Sequence, residues 1–212
     1  MLFDMDGVLI DSEPVHASAI SALAVELSGR TLGEEVLLGF KGVPDREVAA
    51  GMHRLFPESG RTAGELKIRA FELYVERFAS VKLIAGAREF VTNCKEAGYR
   101  MAVATSAARS MQTMAFAAFD LGEFFETVVT AEDVKRGKPD PEPYLLAASR
   151  LGLDPTDCVV IEDSLNGVRS GKAAGCRVIG LTTSFPEREL RLAGADVVIE
   201  GYEACFAGGG RL

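Results

Sequence analysis

The sequence predicts an α/β protein: a Rossmann-like parallel sheet with helices on both faces, and an all-helical second domain inserted after the first strand. From residue 87 onward, short apolar runs alternate with stretches of helical spacing, which is typical of a parallel sheet covered on both faces. Between residues 14 and 80 the apolar residues keep helical spacing, and no convincing strand interrupts them. We therefore expect a core domain of residues 1–12 and 83–212 and a helical domain of residues 13–82.

The individual elements follow from local signals along the chain. A buried strand at residues 1–3 ends in aspartates and a glycine, and capping and breaking residues at 11–14 start a helix that runs through Val25. Breakers at residues 42–44 and 57–60 divide the helical domain, and the chain returns to the core near residues 84–86. Beyond that point the pattern predicts helices at 87–97, 109–119, 143–151, 164–174 and 187–192, and strands at 100–104, 128–130, 158–161, 177–181 and 197–199.

The composition is that of an ordinary globular protein, with 48% apolar residues, 25% charged residues and a mean hydropathy of +0.13. A net charge of −8 argues against a nucleic-acid or anionic-membrane partner, either of which would need a basic surface. The N-terminus carries aspartates where a signal peptide needs cations, and no segment has the length of a membrane span. We expect a cytoplasmic monomer.

The cysteines and histidines exclude several kinds of site. Two histidines, His16 and His53, leave little material for a zinc centre or a serine–histidine triad. The cysteines show no Cys-x-x-Cys spacing, and we expect them to be buried thiols in a reducing compartment. They are Cys94, Cys158, Cys176 and Cys205.

Pairs of acidic residues directly follow two of the predicted strands. Asp4 and Asp6 end the first strand at i, i+2 spacing, which places both side chains on the same side, and Glu162 and Asp163 follow the strand at 158–161. Neighbouring carboxylates repel unless a cation or a proton is shared between them. An acidic turn or a helix cap is the alternative, but capping needs only one polar residue. A hard cation accounts for the pairs better.

Mg²⁺ takes oxygen ligands and is typically held by one or two carboxylates together with substrate phosphate oxygens. Asp4, the backbone carbonyl of Asp6, and Asp163 would supply such a site. Glu162 would be either a further ligand or a residue that supports the ligands from behind.

Two further polar features lie at strand ends or in adjoining loops. Thr105 and Ser106 end the strand at 100–104, where the alternative is simple capping of the next helix. Lys138 lies in a loop stiffened by Pro139 and Pro141, which is consistent with a fixed position. Taken alone, a lysine in such a loop is more often a solvated residue.

These strand ends and loops contain four short segments: Asp4-Met5-Asp6-Gly7-Val8, Thr105-Ser106, Gly137-Lys138-Pro139 and Ile161-Glu162-Asp163-Ser164-Leu165-Asn166-Gly167. Their order and placement resemble the four motifs of the haloacid dehalogenase-like hydrolases, and the match runs essentially end to end. The helical insert is similar to the type-I cap of that superfamily, and the chain looks most like its β-phosphoglucomutase-like and sugar-phosphatase branch. An aspartate at position 6 is similar to the phosphatases and phosphomutases and unlike the dehalogenases.

The resemblance implies phosphoryl transfer, in which positioning and charge neutralisation matter most. Asp4 would be the nucleophile that forms an aspartyl-phosphate, and Asp6 would protonate the leaving oxygen and later deprotonate the attacking water. The phosphoryl oxygens would be held by Mg²⁺, by Lys138, by the Thr105 hydroxyl and by loop amides of Met5, Asp6 and Ser106. Ala107, next in that loop, is also expected to contact the substrate. The cap would close over the substrate, with hinges near residues 11–12 and 79–81.

Residues of the cap and of the loops facing it are expected to select the substrate. By the resemblance they are His16, Lys41, Gly42, Arg46 and Arg109. For His16 the alternative is a polar residue on an exposed helix face, and for Lys41 and Gly42 it is a helix-ending turn.

Two departures from the mutase pattern favour hydrolysis. Asp45 stands where the mutases carry an arginine, with Arg46 one place on, and Ala108 and Arg109 stand where they carry lysine and asparagine. A mutase must grip a second phosphate, so these changes weaken the mutase alternative.

The function predicted is therefore a Mg²⁺-dependent phosphatase acting on a small phosphorylated metabolite, such as a sugar or polyol phosphate. A β-phosphoglucomutase-type sugar phosphate mutase is the alternative within the same chemistry. A signalling receiver domain also surrounds an aspartate with acidic residues, Thr or Ser, and Lys, but receivers lack a helical insert and carry that aspartate on a later strand. A non-catalytic relative would be expected to have lost Asp4 or Asp6, and both are present.

Overall fold

The computed structural model describes residues 1–41, 43 and 45–206. The chain divides into two compact units. One combines Met1–Asp11 with the chain from Leu83 onward, and the other spans Ser12–Lys82. We refer to them as the core unit and the helical unit.

A six-stranded parallel sheet forms the centre of the core unit. In chain order the strands are β1 (Leu2–Phe3), β2 (Ile10–Asp11), β3 (Lys82–Leu83), β4 (Ala102–Ala104), β5 (Thr127–Val129), β6 (Val159–Glu162), β7 (Arg177–Leu181) and β8 (Val197–Ile199). The order across the sheet is β5-β4-β1-β6-β7-β8, and β2 and β3 pair separately. In this register Leu2 lies between Ala102 and Val160.

Helices make up most of the remaining structure. The helical unit contains α1 (Glu13–Ser28), α2 (Glu34–Gly39), α3 (Asp45–Leu55) and α4 (Ala63–Arg77), and the core unit contains α5 (Ala87–Glu96), α6 (Arg109–Ala118), α7 (Glu142–Arg150), α8 (Leu165–Ala173), α9 (Glu187–Ala193) and α10 (Glu203–Phe206). Short 3-10 turns lie at Pro57–Ser59, Phe78–Ser80, Ala131–Asp133 and Pro155–Asp157.

The first strand shows how the sheet is covered on both faces. Leu2 joins an apolar cluster with Tyr144 of α7 and Val168 of α8. Phe3 points the other way, and its ring centroid lies 6.0 Å from that of Phe90 on α5, in an edge-to-face arrangement. Because successive residues of a strand face opposite sides, two buried residues suffice to hold β1 between two helical layers. The predicted fold class, a doubly covered parallel sheet, is confirmed.

The helical unit is built around α4, which packs against both α1 and α3. A capping box starts α4, since Thr62 Oγ1 accepts from the Glu65 N–H and the Glu65 carboxylate accepts from the Thr62 N–H at 2.8 Å. In α4 Arg69 forms a bidentate pair with Glu26 of α1, at 2.7 and 2.9 Å. Throughout its described residues, this unit is made of helices and turns until β3 begins.

Several element boundaries differ from the prediction for physical reasons. The strand predicted at 100–104 begins at Ala102, because its partner β1 has only two residues and the ladder is correspondingly short. β6 continues one residue further than predicted, since Glu162 still pairs with Gly180 of β7. Helix α1 continues to Ser28, three residues beyond the predicted end at Val25.

Three of the four cysteines, Cys94, Cys158 and Cys176, are free and buried as predicted. Cys205 is also free but only partly buried, because it lies on the short helix α10 close to the end of the described chain. In the part of the chain that the structure describes, no helix is long and apolar enough to cross a membrane.

Candidate active site

The strand order reverses at β1, and the candidate site lies at this point. The chain runs from β1 to β4 on one side and later to β6 on the other. In such sheets ligands bind outside the carboxyl ends of the strands at the reversal. Asp4, Thr105 and Asp163 each follow directly after one of these three strands. The structure brings Asp4, Glu162 and Asp163 together, with one carboxylate oxygen of each lying within 4.8 Å of the others.

A tight turn after β1 places Asp4 and Asp6. Asp4 stays tied to the sheet, since its N–H donates to the Ile161 carbonyl at 3.0 Å, and the turn is closed by the Gly7 N–H donating to the Ile10 carbonyl at 2.8 Å. Gly7 has a φ of +72°, and a β-carbon there would lie 1.9 Å from Asp163 Oδ2. Only glycine lets the turn approach the Asp163 carboxylate this closely.

The side chain of Lys138 also reaches this site. Its side chain is only 5% exposed, and Nζ lies 2.9 Å from Asp4 Oδ1 and 2.5 Å from Glu162 Oε1. The loop is fixed at its two ends: Ser170 Oγ donates to the Asp140 carbonyl at 2.6 Å, and the Glu142 carboxylate accepts from two backbone N–H groups of residues 135 and 136. Lys138 is therefore a positioned, buried cation and not a solvated loop residue.

Glu162 is fully engaged by protein donors. Oε1 accepts from Lys138 Nζ and from the Tyr144 hydroxyl, and Oε2 accepts from the Asp163 N–H and from both the N–H and the hydroxyl of Ser164. A β-carbon at Gly167 would lie 1.6 Å from Oε1, so the first turn of α8 has room for this carboxylate only because residue 167 is glycine. Five hydrogen bonds on two oxygens leave little capacity for a metal ion.

Charge is poorly balanced within the site. Burial raises the pKa of Asp4 to about 7 despite the opposing attraction of Lys138, and the charges of Glu162 and Asp6 add to the increase. The pKa of Asp163 is raised by burial and by the neighbouring charges of Glu162 and Asp4. Burial alone would lower the pKa of Lys138, but attraction to Asp4 and Glu162 outweighs it, and the pKa is raised. One ammonium thus faces a group of three buried carboxylates.

The donor set fits a hard divalent cation. Asp4 Oδ1 is buried and, among the described residues, accepts no hydrogen bond beyond its ion-pair contact with Lys138. Asp163 offers a second buried carboxylate beside it. Oxygen-only ligands with excess negative charge are what Mg²⁺ or Ca²⁺ require, whereas a zinc centre is usually built from cysteine and histidine. A bound divalent cation would restore the charge balance.

The loop after β4 supplies polar groups at the next strand end. Thr105 is buried, and its Oγ1 accepts from the Ala107 N–H at 3.0 Å. Ser106 is exposed and Ala107 is buried.

Arg109 is engaged elsewhere. Its guanidinium lies 2.5 Å from Asp133 Oδ2, and its backbone N–H donates to the Glu132 carboxylate at 3.0 Å. Asp133 also forms an ion pair with Arg150 at 2.8 Å and accepts two hydrogen bonds from Thr130. Arg109 is therefore part of a network centred on the Asp133 carboxylate.

The cap residues singled out in the sequence lie in the helical unit. The His16 ring stacks on Tyr74 with a centroid separation of 4.3 Å. Lys41 is half-buried and Arg46 is exposed. Gly42 lies outside the described residues. The roles predicted for these residues stay predictions.

Two contributors to the site were missed in the sequence. Tyr144 was assigned only to a helix, and no local pattern distinguishes its hydroxyl from that of a packing tyrosine. Thr183 follows β7, and its Oγ1 donates to the Gly7 carbonyl at 2.5 Å and lies 3.4 Å from Asp163 Oδ2. A sequence pattern could have indicated Thr183, because a run of hydroxyl residues follows an apolar strand there. The same pattern indicated Thr105 and Ser106.

Comparison with known proteins agrees with this geometry. The chain is 35% identical over 208 residues to the phosphorylated carbohydrates phosphatase of Thermotoga maritima, covering 96% of this chain and 94% of the relative. It is 34% identical over 202 residues to Protein SUPPRESSOR OF QUENCHING 1, chloroplastic, of Arabidopsis thaliana, covering 93% of this chain but 19% of that longer protein. A solved structure of a CbbY variant from Rhodobacter sphaeroides in complex with xylulose-(1,5)-bisphosphate is 28% identical, with a TM-score of 0.76 and coverage of 95% of this chain and 93% of that one.

The family model described as haloacid dehalogenase-like hydrolase matches residues 1–181, which include all four segments at the strand ends. Together with the parallel sheet and the carboxylates at its reversal point, this match shows that the chain belongs to the haloacid dehalogenase-like hydrolases.

Proposed function

We propose that this protein is a Mg²⁺-dependent phosphatase that hydrolyses a small phosphorylated metabolite, such as a sugar or polyol phosphate, through an aspartyl-phosphate on Asp4. The main support for the proposal is that Asp4 lies 2.9 Å from a buried cation, Lys138, and has a carboxylate oxygen within 4.8 Å of one on a second buried carboxylate, Asp163. A nucleophilic carboxylate needs positive charge around it when it attacks a phosphoryl group, because the transferred group is itself anionic.

Asp4, the Asp6 carbonyl and Asp163 would hold the Mg²⁺, which would supply charge stabilisation for the phosphoryl oxygens. Glu162 would support Lys138 and the Asp163 N–H from behind, because its oxygens are already occupied by protein donors.

The protein groups would divide the chemistry between them. Asp4 would attack phosphorus, and Asp6, two residues along the same turn, would donate a proton to the leaving oxygen and later remove one from the attacking water. Lys138 and the Thr105 hydroxyl would bind phosphoryl oxygens, together with the backbone at Ser106 and Ala107. The helical unit would act as a lid that limits the access of water until hydrolysis.

The arrangement around Arg109 favours hydrolysis over mutation. A mutase must hold a bisphosphate while it reorients, and each charge-assisted contact to the distal phosphate contributes roughly 1.5–3 kcal/mol. Arg109 is already paired with Asp133, and the neighbouring position is Ala108. A second phosphate would have to compete with a protein carboxylate for this cation.

A panel of phosphorylated metabolites, assayed with Mg²⁺ for released inorganic phosphate, tests the proposal. We expect turnover of sugar and polyol phosphates, abolished in Asp4→Asn. Phosphate release by a folded Asp4→Asn protein would contradict the mechanism.

The choice between phosphatase and mutase needs its own assay. β-Glucose 1-phosphate with a trace of the 1,6-bisphosphate is followed by phosphorus NMR, and we expect free inorganic phosphate. Stoichiometric glucose 6-phosphate with negligible inorganic phosphate would establish the mutase instead. In that case Arg46→Ala and Arg109→Ala should each lower turnover.

A further inference from the structure

Tyr144 contacts both members of the buried ion pair next to Asp4. It lies in the first turn of α7 and is fully buried. Its hydroxyl donates to Glu162 Oε1 at 2.8 Å, and Lys138 Nζ lies 5.0 Å from the centroid of its ring. The same oxygen of Glu162 accepts from Lys138 at 2.5 Å. The Tyr144 side chain thus hydrogen-bonds the Glu162 carboxylate and places its ring next to the Lys138 ammonium.

We propose that Tyr144 is a positioning residue, which fixes the Glu162 carboxylate and so directs the Lys138 ammonium towards Asp4. This inference rests on the proposed function, because it assigns Lys138 a role in phosphoryl transfer.

A lysine ammonium on a four-carbon stem needs such support. The stem has many rotamers, and an ammonium has no preferred plane of its own. In this site Nζ is fixed by Asp4, by Glu162 and by the aromatic face of Tyr144. Glu162 Oε2 is anchored by the backbone at Asp163 and Ser164, whereas the Tyr144 hydroxyl is the donor that anchors Oε1 from a helix.

Packing alone does not account for the hydroxyl. Tyr144 belongs to the apolar cluster with Leu2 and Val168, in which a phenylalanine ring would fill nearly the same volume. A buried hydroxyl is retained without cost only when it has a partner, and here the partner is the carboxylate that holds Lys138. Removing the hydroxyl leaves Lys138 as the remaining side-chain donor to Oε1 and allows the ion pair to shift.

The experiment is a double-mutant cycle between Tyr144→Phe and Lys138→Ala, assayed with a sugar phosphate at saturating Mg²⁺. We expect Tyr144→Phe to lower kcat about 10-fold with little change in KM, because small misplacements of a catalytic group cost up to about 100-fold. In the Lys138→Ala background the same change should have almost no effect, since the group it positions is gone. A merely structural tyrosine would lower activity by the same factor in both backgrounds.

Tyr202→Phe is the matched control. Tyr202 is also fully buried in the core unit, and its hydroxyl donates to the Val8 carbonyl at 3.0 Å. Both variants should lower the melting temperature by a similar amount, because each loses one buried hydrogen bond. Only the effect of Tyr144→Phe on kcat should disappear in the Lys138→Ala background.

The outcomes separate the two proposals. If Lys138→Ala keeps its turnover, the proposed function fails. If Lys138→Ala has a lowered but measurable kcat while folded Tyr144→Phe retains the wild-type kcat, or if the two effects on kcat multiply, only the positioning role of Tyr144 is overturned.

Discussion

The backbone at Gly7 and the carboxylate of Asp163 occupy adjoining space, with 1.9 Å between Oδ2 and the position that a β-carbon on Gly7 would take. Thr183 ties the two together by donating to the Gly7 carbonyl at 2.5 Å. The turn that carries Asp6 is therefore fitted directly against one of the proposed metal ligands.

Gly7→Ala should lower kcat about 100-fold and weaken activation by Mg²⁺, because the turn and Asp163 must move apart. Gly98→Ala is the matched control, since Gly98 has a φ of +80° with nothing within 4 Å of its β-carbon position. Both variants carry a left-handed backbone cost of about 1–2 kcal/mol. Equal activity of the two variants in a phosphate-release assay would show that the close approach has no role.

Without Mg²⁺ the free energy of unfolding should fall as pH rises, and bound Mg²⁺ should offset this fall. The pKa of Asp4 rises from 3.8 when unfolded to about 7 when folded, and that of Asp163 is also raised. The folded state therefore binds more protons between these values, and without metal its stability falls as pH rises through this window.

Thermal melts in EDTA and in Mg²⁺, at about pH 5 and about pH 8, measure this effect. Mg²⁺ should raise the melting temperature much more at the higher pH, where the carboxylates are ionised and repel. Asp163→Asn should be less sensitive to pH in EDTA and should lose most of the Mg²⁺ effect. A Mg²⁺ shift of the same size at both pH values, or in Asp163→Asn, would argue against the metal site.

Chelation should abolish turnover and added Mg²⁺ should restore it, whereas Ca²⁺ should inhibit, because its larger and looser coordination spoils in-line geometry. The assay is phosphate release from one sugar phosphate after dialysis against EDTA. Full activity in EDTA would rule out the cation.

The sequence was sufficient for the fold class and for the carboxylates at the strand ends, because alternation of strands and helices and charge after a buried run are both local signals. Whether Glu162 is a ligand or a supporting group could not be settled in this way. That distinction depends on Tyr144 and Lys138 reaching it from residues 18 and 24 positions earlier in the chain. The ion pair between Arg109 and Asp133 likewise joins residues 24 positions apart, so no local sequence motif predicts it.

Asp6→Asn should nearly abolish hydrolysis of sugar phosphates but retain more activity on aryl phosphates, whose leaving groups need little protonation. Rates on para-nitrophenyl phosphate and on a sugar phosphate give the comparison. Asp157→Asn, which changes an exposed carboxylate of the same unit, should leave both rates unchanged. Equal losses on both substrates in Asp6→Asn would contradict the acid–base role.

The proposed mechanism depends on phosphorylation of Asp4, and chemical trapping detects that intermediate. An acyl phosphate is reduced by borohydride to an alcohol, so acid quenching during turnover followed by reduction converts a phosphorylated aspartate to homoserine. Peptide mass spectrometry of the Asp6→Asn protein, supplied with para-nitrophenyl phosphate because its leaving group needs little protonation, should find homoserine at position 4 only when this substrate and Mg²⁺ are present. An unmodified Asp4 alongside homoserine at Asp163 or another residue would contradict the account.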